Sequence, residues 1–152
     1  MVFTAYTDGS CNNKKDISER IGGWAFIILR GTKIYSIRRG KNTDKPSSQT
    51  MEMEAVIRCL ESANRLRDLT ELQIFSDSAY VVNCINQRWY DRWILFDFSY
   101  TKNADLWKKI LNLLSSSPFK VTFIKIKGHS GNKYNEIVDK LANYKQYEAK
   151  IV

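Results

Sequence analysis

Apolar and polar residues recur with two different spacings along this chain, one typical of strands and one typical of helices. The opening segment, residues 2–7, is apolar, aromatic and β-branched with little polar alternation, which predicts a strand in the middle of a sheet. Residues 24–29 have the same character after Gly22-Gly23, whereas residues 33–39 alternate like a half-exposed antiparallel partner. The first forty residues therefore predict a three-stranded meander, interrupted by an exposed polar loop over residues 11–20.

Helical spacing begins after a polar loop that contains Pro46. Apolar residues three or four positions apart predict a helix that Ser47 or Ser48 can cap. An alternation of strands and helices follows and predicts parallel crossovers. Residues 87–102 are rich in aromatic side chains and show neither the strand spacing nor the helix spacing. The later predicted elements are a strand over 71–77, helices over 79–85 and 105–115, a strand over 119–127 and a helix from about residue 134.

Length and composition narrow the class of protein. A chain of 152 residues with 43% hydrophobic and 26% charged residues predicts one globular domain over residues 1–152. Its apolar runs are all shorter than the ~20 residues that cross a bilayer, and the three cysteines have no metal-ligand spacing. We therefore expect a cytoplasmic, monomeric protein with free thiols and no membrane partner.

The charge is unevenly distributed. The net charge is +8, and residues 101–152 alone hold ten lysines and four acidic residues. A one-sided basic surface suits the phosphate backbone of a nucleic acid, although general solubility would explain the same excess.

Two predicted parallel strands end on carboxylates, Asp8 and Asp77. Asp8 could simply begin an Asp-Gly turn. If the strands are neighbours, however, the two carboxylates lie about 5 Å apart and repel each other unless a cation binds. Hard oxygen ligands of this kind suit Mg²⁺ or Mn²⁺. Glu52 and Asp139 can supply further oxygens, and four carboxylates are enough to hold two ions about 4 Å apart, as in phosphoryl displacement.

Short motifs on these elements carry a family resemblance. In chain order they are Thr7-Asp8-Gly9-Ser10-Cys11, Met51-Glu52-Met53-Glu54-Ala55-Val56-Ile57, Ser76-Asp77-Ser78-Ala79-Tyr80-Val81, Ile126-Lys127-Gly128-His129-Ser130-Gly131 and Asn135-Glu136-Ile137-Val138-Asp139-Lys140-Leu141-Ala142. Together they resemble type 1 ribonuclease H. The resemblance implies an α/β, RNase H-like fold: a mixed five-stranded sheet of order 3-2-1-4-5, strands 1–3 antiparallel and strands 1, 4 and 5 parallel, with helices on both faces. It implies an endonuclease that cleaves the RNA strand of an RNA–DNA hybrid and leaves 5′-phosphate and 3′-hydroxyl ends.

The resemblance also implies roles for individual residues. Asp8, Glu52, Asp77 and Asp139 match the four metal-binding carboxylates, and His129 matches a loop histidine that assists proton transfer and product release. We expect two Mg²⁺ ions per site, with Mn²⁺ as a substitute. As a hypothesis, one ion activates a water, the other stabilises the leaving 3′-oxygen, and Asp8 bridges both.

Each of these assignments has a plainer alternative. The family's helix acid stands three residues before an alanine, as Glu52 does, whereas Glu54 lies about 200° further round the helix and is expected to be solvated. A lone histidine such as His129 is more often a surface or packing residue. Asp139 could pair with Lys140 or Lys133 on the helix face, and Glu136 on roughly the same face is a candidate supporting acid.

Candidate substrate contacts come from the same motifs and from the aromatic segment. Residues near the first strand and first helix are candidates for contacts with RNA 2′-hydroxyl groups, the helix start can hold a DNA phosphate, and Trp89 or Trp93 can stack on bases. The chain departs from the family pattern in three places: a longer loop after Ser10, Ser48-Gln49 in place of an Asn-Asn pair, and a shortened, more aromatic protrusion. The candidate substrate contacts are Gly9, Ser10, Cys11, Asn12, Asn13, Ser47, Ser48, Gln49, Ser78 and Trp93.

Two other functions remain open on the sequence. A non-catalytic hybrid-binding module of the same fold is disfavoured because a polyanion-binding site gains nothing from four acids without metal. A DNA-acting nuclease or integrase of the fold is disfavoured by the Gly128–Gly131 loop and the helix acid that follows it.

Overall fold

A mixed five-stranded sheet lies at the centre of the molecule, in the strand order 3-2-1-4-5. The computed structural model describes residues 1–12, 14–128 and 131–143. β1 pairs antiparallel with β2 and parallel with β4, β2 pairs antiparallel with β3, and β4 pairs parallel with β5, so the predicted topology is confirmed. The strands are β1 (Val2–Cys11), β2 (Gly22–Arg30), β3 (Lys33–Asn42), β4 (Glu71–Ser76) and β5 (Lys120–Lys125).

Five helices and one short 3₁₀ turn complete the described part of the chain. The predicted helices are present with slightly different ends, and the aromatic segment of residues 87–102 contains one further helix, α3. None of the helices in the described ranges is long and apolar enough to span a membrane. The helices are α1 (Ser48–Ala63), α2 (Ala79–Asn86), α3 (Tyr90–Leu95), α4 (Ala104–Ser116) and α5 (Lys133–Ala142), and the 3₁₀ turn is Ile17–Glu19.

Alternate residues of β2 face opposite sides of the sheet and separate two apolar cores. Phe26 and Ile28 belong to the larger core, which contains the buried faces of α1, α2 and α4. Ala25, Ile27 and Leu29 belong to a smaller core against α5. Helices therefore cover both faces, and β1 in the centre is shielded from water on each side.

The start of α1 is fixed by its cap and by a close approach to β1. The Ser47 hydroxyl accepts a hydrogen bond from the backbone N–H of Thr50 at 3.0 Å, and Thr50 Oγ1 accepts one from the backbone N–H of Ser47 at 2.8 Å. This reciprocal arrangement is a capping box. A Cβ at Gly9 would overlap with the Met51 and Glu52 backbone, lying 2.6 Å from the Met51 carbonyl oxygen. Only glycine therefore lets the first turns of α1 rest directly on β1.

The aromatic segment between α2 and α4 is partly a core element. The Trp93 and Trp107 ring centroids lie 5.2 Å apart, and Trp107 is fully buried. The indole N–H of Trp107 donates to the Tyr80 hydroxyl at 2.9 Å, so the buried indole has its polar partner. Trp93 thus packs inward, whereas Leu95 and Tyr100 are 77% and 97% exposed.

Candidate active site

Three carboxylates from distant parts of the chain meet at one end of the central strands. Asp8 lies in β1, Glu52 in the second turn of α1, and Asp77 directly after β4. Each offers a carboxylate oxygen, and these oxygens all lie within 4.8 Å of one another. The parallel register explains why two of them meet, because Tyr6 pairs with Phe75 and the two aspartates each stand two residues further on.

Burial makes this arrangement costly when all three groups are ionised. Asp8 is only 4% exposed. Burial raises the pKa of Asp8 to about 7; a hydrogen bond with Glu52 lowers it, and the Asp77 and Asp139 charges raise it. Burial also raises the pKa of Glu52 well above its ordinary value, and the charge of Asp8 raises it further. The three carboxylates therefore have too little positive charge near them.

The donor set fits a hard divalent cation. Glu52 Oε2 is buried and has no hydrogen-bond partner among the described residues, although a buried carboxylate oxygen normally has one. The backbone N–H of Gly9 donates to Asp8 Oδ1 at 2.9 Å, which fixes that carboxylate. Among the described residues the donor set is made of carboxylate oxygens, which favour magnesium- or manganese-like ions over zinc. A bound cation would supply the missing positive charge and occupy the free oxygen of Glu52.

Asp139 approaches this group from the opposite side of the sheet. It lies in the second turn of α5, next to Val138, which that helix buries, and is itself half-buried. Its carboxyl makes a hydrogen bond with Asp8 and its charge acts on Asp8, both raising the pKa of Asp8. It is not a member of the group of three whose oxygens are mutually within 4.8 Å. Four acids thus converge, with three in closest contact and Asp139 beside Asp8.

The loop after β5 begins against the same site. A Cβ at Gly128 would lie 3.2 Å from Asp77 Oδ2, so the chain passes beside that carboxylate just before His129. His129 itself lies outside the described residues, and its role stays a prediction. The sequence indicated this loop only through its Gly-His-Ser-Gly pattern, and Gly128 as a neighbour of Asp77 was not anticipated.

The two other acids considered from the sequence lie elsewhere. Glu54 was expected to be solvated, which is wrong: its side chain is only 16% exposed and forms an ion pair with Arg58 at 2.9 Å. The i,i+4 spacing on α1 brings these two groups together, away from Glu52. Glu136 is exposed on the first turn of α5.

Some of the candidate substrate contacts near β1 already form hydrogen bonds within the protein. The Asn12 amide donates to the Glu19 carbonyl at 3.3 Å and accepts from the Ile21 N–H at 3.2 Å, which ties the loop after β1 together. Cys11 Sγ lies 3.6 Å from the Pro46 carbonyl oxygen. Ser10 is half-buried at the end of β1, and Asn13 lies outside the described residues.

The candidates at the helix starts divide into capping and available groups. Ser47 caps α1, and the Ser78 hydroxyl caps α2 by accepting from the Val81 N–H at 3.3 Å. Ser48 is exposed at the first position of α1. Gln49 Oε1 is buried without a hydrogen-bond partner in the described ranges, so this amide oxygen can still accept a hydrogen bond.

The fold and the acidic site together define a class: an α/β protein with a group of carboxylates that could hold a metal ion at the ends of its central strands. The sequence model of the RNase H family matches residues 2–146. Ribonuclease H of Clostridium botulinum (strain Hall) is 36% identical over 143 residues, which cover 91% of this chain and 91% of that protein. Ribonuclease H of Chlorobaculum parvum is 36% identical over 146 residues, covering 93% and 92%. This chain therefore belongs to the ribonuclease H family of metal-dependent nucleases, and the resemblance seen in its motifs is confirmed.

Solved structures support the same fold at lower identity. LC9-RNase H1, a type 1 RNase H, superposes with a TM-score of 0.75 at 21% identity over 93% of this chain and 70% of that one. The N-terminal RNase H domain of rv2228c from Mycobacterium tuberculosis, studied as a fusion with maltose-binding protein, gives a TM-score of 0.74 at 17% identity over 99% and 96%. These likenesses confirm the predicted fold class.

Proposed function

We propose that this chain is an endonuclease that hydrolyses the RNA strand of RNA–DNA hybrids in the presence of Mg²⁺, leaving 5′-phosphate and 3′-hydroxyl ends. The observation that carries the proposal is the buried group of Asp8, Glu52 and Asp77, whose oxygens lie within 4.8 Å of one another. Membership of the ribonuclease H family supports the choice of substrate. LC11-RNase H1, with a TM-score of 0.68 at 16% identity, has been solved with an RNA/DNA hybrid, which supports the same choice.

Asp8, Glu52 and Asp77 would hold the metal, with Asp139 adding its carboxylate next to Asp8. Mg²⁺ bound there would supply Lewis acidity toward the phosphate oxygens and a water of lowered pKa. The rigid strand ends and the first turns of α1 keep the carboxylates in place. Because Asp8 is buried, its charge acts strongly on whatever binds beside it.

The substrate-binding part of the proposal rests on groups that border the acidic site. Exposed Ser48 and the amide of Gln49 stand at the start of α1, where backbone N–H groups favour a phosphate. His129 follows Gly128, which lies beside Asp77, and is proposed to move a proton during product formation. We leave Trp93 out of this proposed surface, because the packing of its ring on Trp107 supports a structural role.

The deciding experiment compares one labelled strand in three duplexes: RNA–DNA hybrid, double-stranded DNA and double-stranded RNA, each with Mg²⁺ and with chelator. We expect cleavage of the RNA strand of the hybrid alone, and only with Mg²⁺. Cleavage of duplex DNA would indicate a DNA-acting nuclease, and binding without cleavage would indicate a non-catalytic module; either contradicts the proposal.

Two acids on the same helix provide matched variants. Glu52→Gln should lower the cleavage rate by more than ~100-fold, since a metal site contributes several kcal/mol to transition-state stabilisation. Glu54→Gln removes the same charge from a residue that pairs with Arg58 instead, and should leave the rate within about threefold of the parent. Equal losses in both variants would mean that Glu52 is not a metal ligand.

A further inference from the structure

A cleft on the α1 side of the sheet, between α1 and the β2–β3 pair, gathers three arginines over two aromatic rings. Its volume is about 70 Å³, room for a few waters or one phosphate-sized anion. It contains none of the carboxylates of the acidic site. The residues that line it are Trp24, Phe26, Arg38, Arg58, Glu61, Ser62 and Arg65.

The aromatic residues form a rigid base for the cleft. The Trp24 and Phe26 ring centroids lie 6.2 Å apart with an interplanar angle of 6°. A Cβ at Gly40 would overlap with the Trp24 indole, so the backbone of β3 lies directly on that ring. The Arg58 guanidinium carbon lies 5.1 Å from the centre of the Trp24 ring, a cation–π contact. The indole is therefore covered and holds a guanidinium, which leaves it unsuited to stacking with a base.

The charges of the cleft are unbalanced. Arg58 is neutralised by Glu54, with Nε 2.9 Å from Oε1. Arg38 and Arg65 are exposed, and neither side chain forms a hydrogen bond or ion pair with another residue of the described ranges. Glu61 is the one acid among the described residues that line the cleft. Guanidinium groups bind phosphate oxygens through paired N–H donors, and like charges held together are stabilised when an anion enters.

We propose that this arginine cleft binds a phosphate group through Arg38 and Arg65, at a site separate from the acidic site. Arg58 is held on Trp24 at the base of the cleft with its charge balanced by Glu54. Ser62 also lines the cleft, and its hydroxyl forms a hydrogen bond with the Ser36 hydroxyl at 3.0 Å. The phosphate can come from the backbone of a nucleic acid or from a free phosphate ester, because both present the same oxygens to the guanidinium groups. The proposal does not depend on metal binding or on cleavage.

The test pairs a double variant with a control of equal charge. Arg38→Gln with Arg65→Gln empties the cleft of its two unpaired guanidinium groups. Arg30→Gln with Arg67→Gln removes two exposed arginines that do not line the cleft. All four side chains are exposed, so both variants should fold, and urea unfolding checks this. Arg65→Lys keeps a charge but loses the paired donors.

Binding is measured in chelator, with two probes, to separate the sources of phosphate. Inorganic phosphate is titrated at constant ionic strength against chloride, and an uncleaved RNA–DNA hybrid is titrated by fluorescence anisotropy at several salt concentrations. We expect the cleft variant to weaken phosphate binding at least tenfold, with the control pair unchanged. If the ligand is a backbone phosphate, hybrid affinity also falls and the salt dependence loses about one phosphate contact.

Loss of inorganic phosphate binding alone would assign the site to a free phosphate ester, which still supports the proposal. Equal effects in the cleft and control variants, or no phosphate binding to the parent protein, would overturn it. Cleavage of saturating hybrid in Mg²⁺ by the cleft variant should match the parent, so failure of this proposal and failure of the proposed nuclease function are distinguished.

Discussion

Neutralising Asp8 should stabilise the metal-free protein even though it abolishes the proposed activity. Asp8 is 4% exposed, and burial raises its pKa from the ordinary 3.8 to about 7. At 1.36 kcal/mol for each tenfold change in proton affinity, ionising this group at neutral pH costs the fold about 4 kcal/mol. Because Glu52, whose pKa is also raised, can take up the proton in its place, we expect Asp8→Asn to raise the free energy of unfolding by about 2–4 kcal/mol.

The pH dependence has a definite sign. Folding raises the pKa of the Asp8 carboxyl from about 3.8 in the unfolded chain to about 7. The protonated carboxyl therefore contributes its full share of stability below pH ~3.8, and this contribution is lost as the pH rises through about 7. The advantage of Asp8→Asn over the parent should therefore be near zero at pH 4 and full at pH 8.

Urea unfolding of both proteins in chelator, at pH 4, 6 and 8, measures this difference. Asp44→Asn, which removes an exposed aspartate on the loop before α1, is the control and should change stability by less than about 0.5 kcal/mol. A variant that is no more stable than the parent at pH 8 would refute the reasoning, because burial of an uncompensated charge is its only premise. Adding Mg²⁺ should stabilise the parent and leave Asp8→Asn nearly unchanged, since only the parent keeps the full set of ligands.

Three further outcomes follow from the packing around the site. Gly9→Ala should destabilise the fold by about 3 kcal/mol or more in urea unfolding, because its Cβ would overlap with the Met51 and Glu52 backbone. The control Gly31→Ala places its Cβ in open space and should lose only the stability that a left-handed φ of +61° costs an alanine. Because its ring packs on Trp107, Trp93→Ala should lower the free energy of unfolding by about 2–3 kcal/mol and leave the hybrid Kd of the folded protein within threefold of the parent. A large loss of hybrid affinity with unchanged stability would contradict this. Ser47→Ala should cost about 1 kcal/mol in unfolding free energy and leave cleavage in saturating hybrid unchanged, whereas a rate loss with normal stability would indicate a direct contact with substrate.

The sheet and most helices were predictable because local pattern and tertiary packing agree. β2 is continuously apolar and is buried on both faces, and the periodic apolar positions of α1 are those that the structure buries. The aromatic segment was not predictable, because α3 buries no residue of its own and Asp97 and Phe98 take left-handed backbone conformations. Such turns depend on packing against α4 and have no apolar period to reveal them.

Two of the site acids were predictable from the strand pattern alone, whereas Glu52 and Asp139 were assigned through the family resemblance. Asp8 and Asp77 follow from strand register, since a parallel pair brings equivalent positions to the same edge. The environment of Glu54 did not follow, because its partner Arg58 is held by the Trp24 ring, a contact across elements. The arginine cleft was missed for the same reason: its members come from β2, β3, α1 and the turn after it, and no spacing in the sequence links them.

The close approach at Gly9 links the stability of the fold to the chemistry of the site. Because α1 rests on the backbone of β1, Glu52 reaches Asp8 from a helix that the larger core holds in place. The helix cannot retreat to relieve the repulsion without exposing Met51 and Met53, which are fully buried. Apolar packing on this scale contributes about 2 kcal/mol or more for each large side chain, enough to offset the cost of one buried carboxylate. The core thus keeps the carboxylates together in the absence of metal. A metal ion would therefore meet a preformed group of ligands, and its binding would not include the entropic cost of bringing them together.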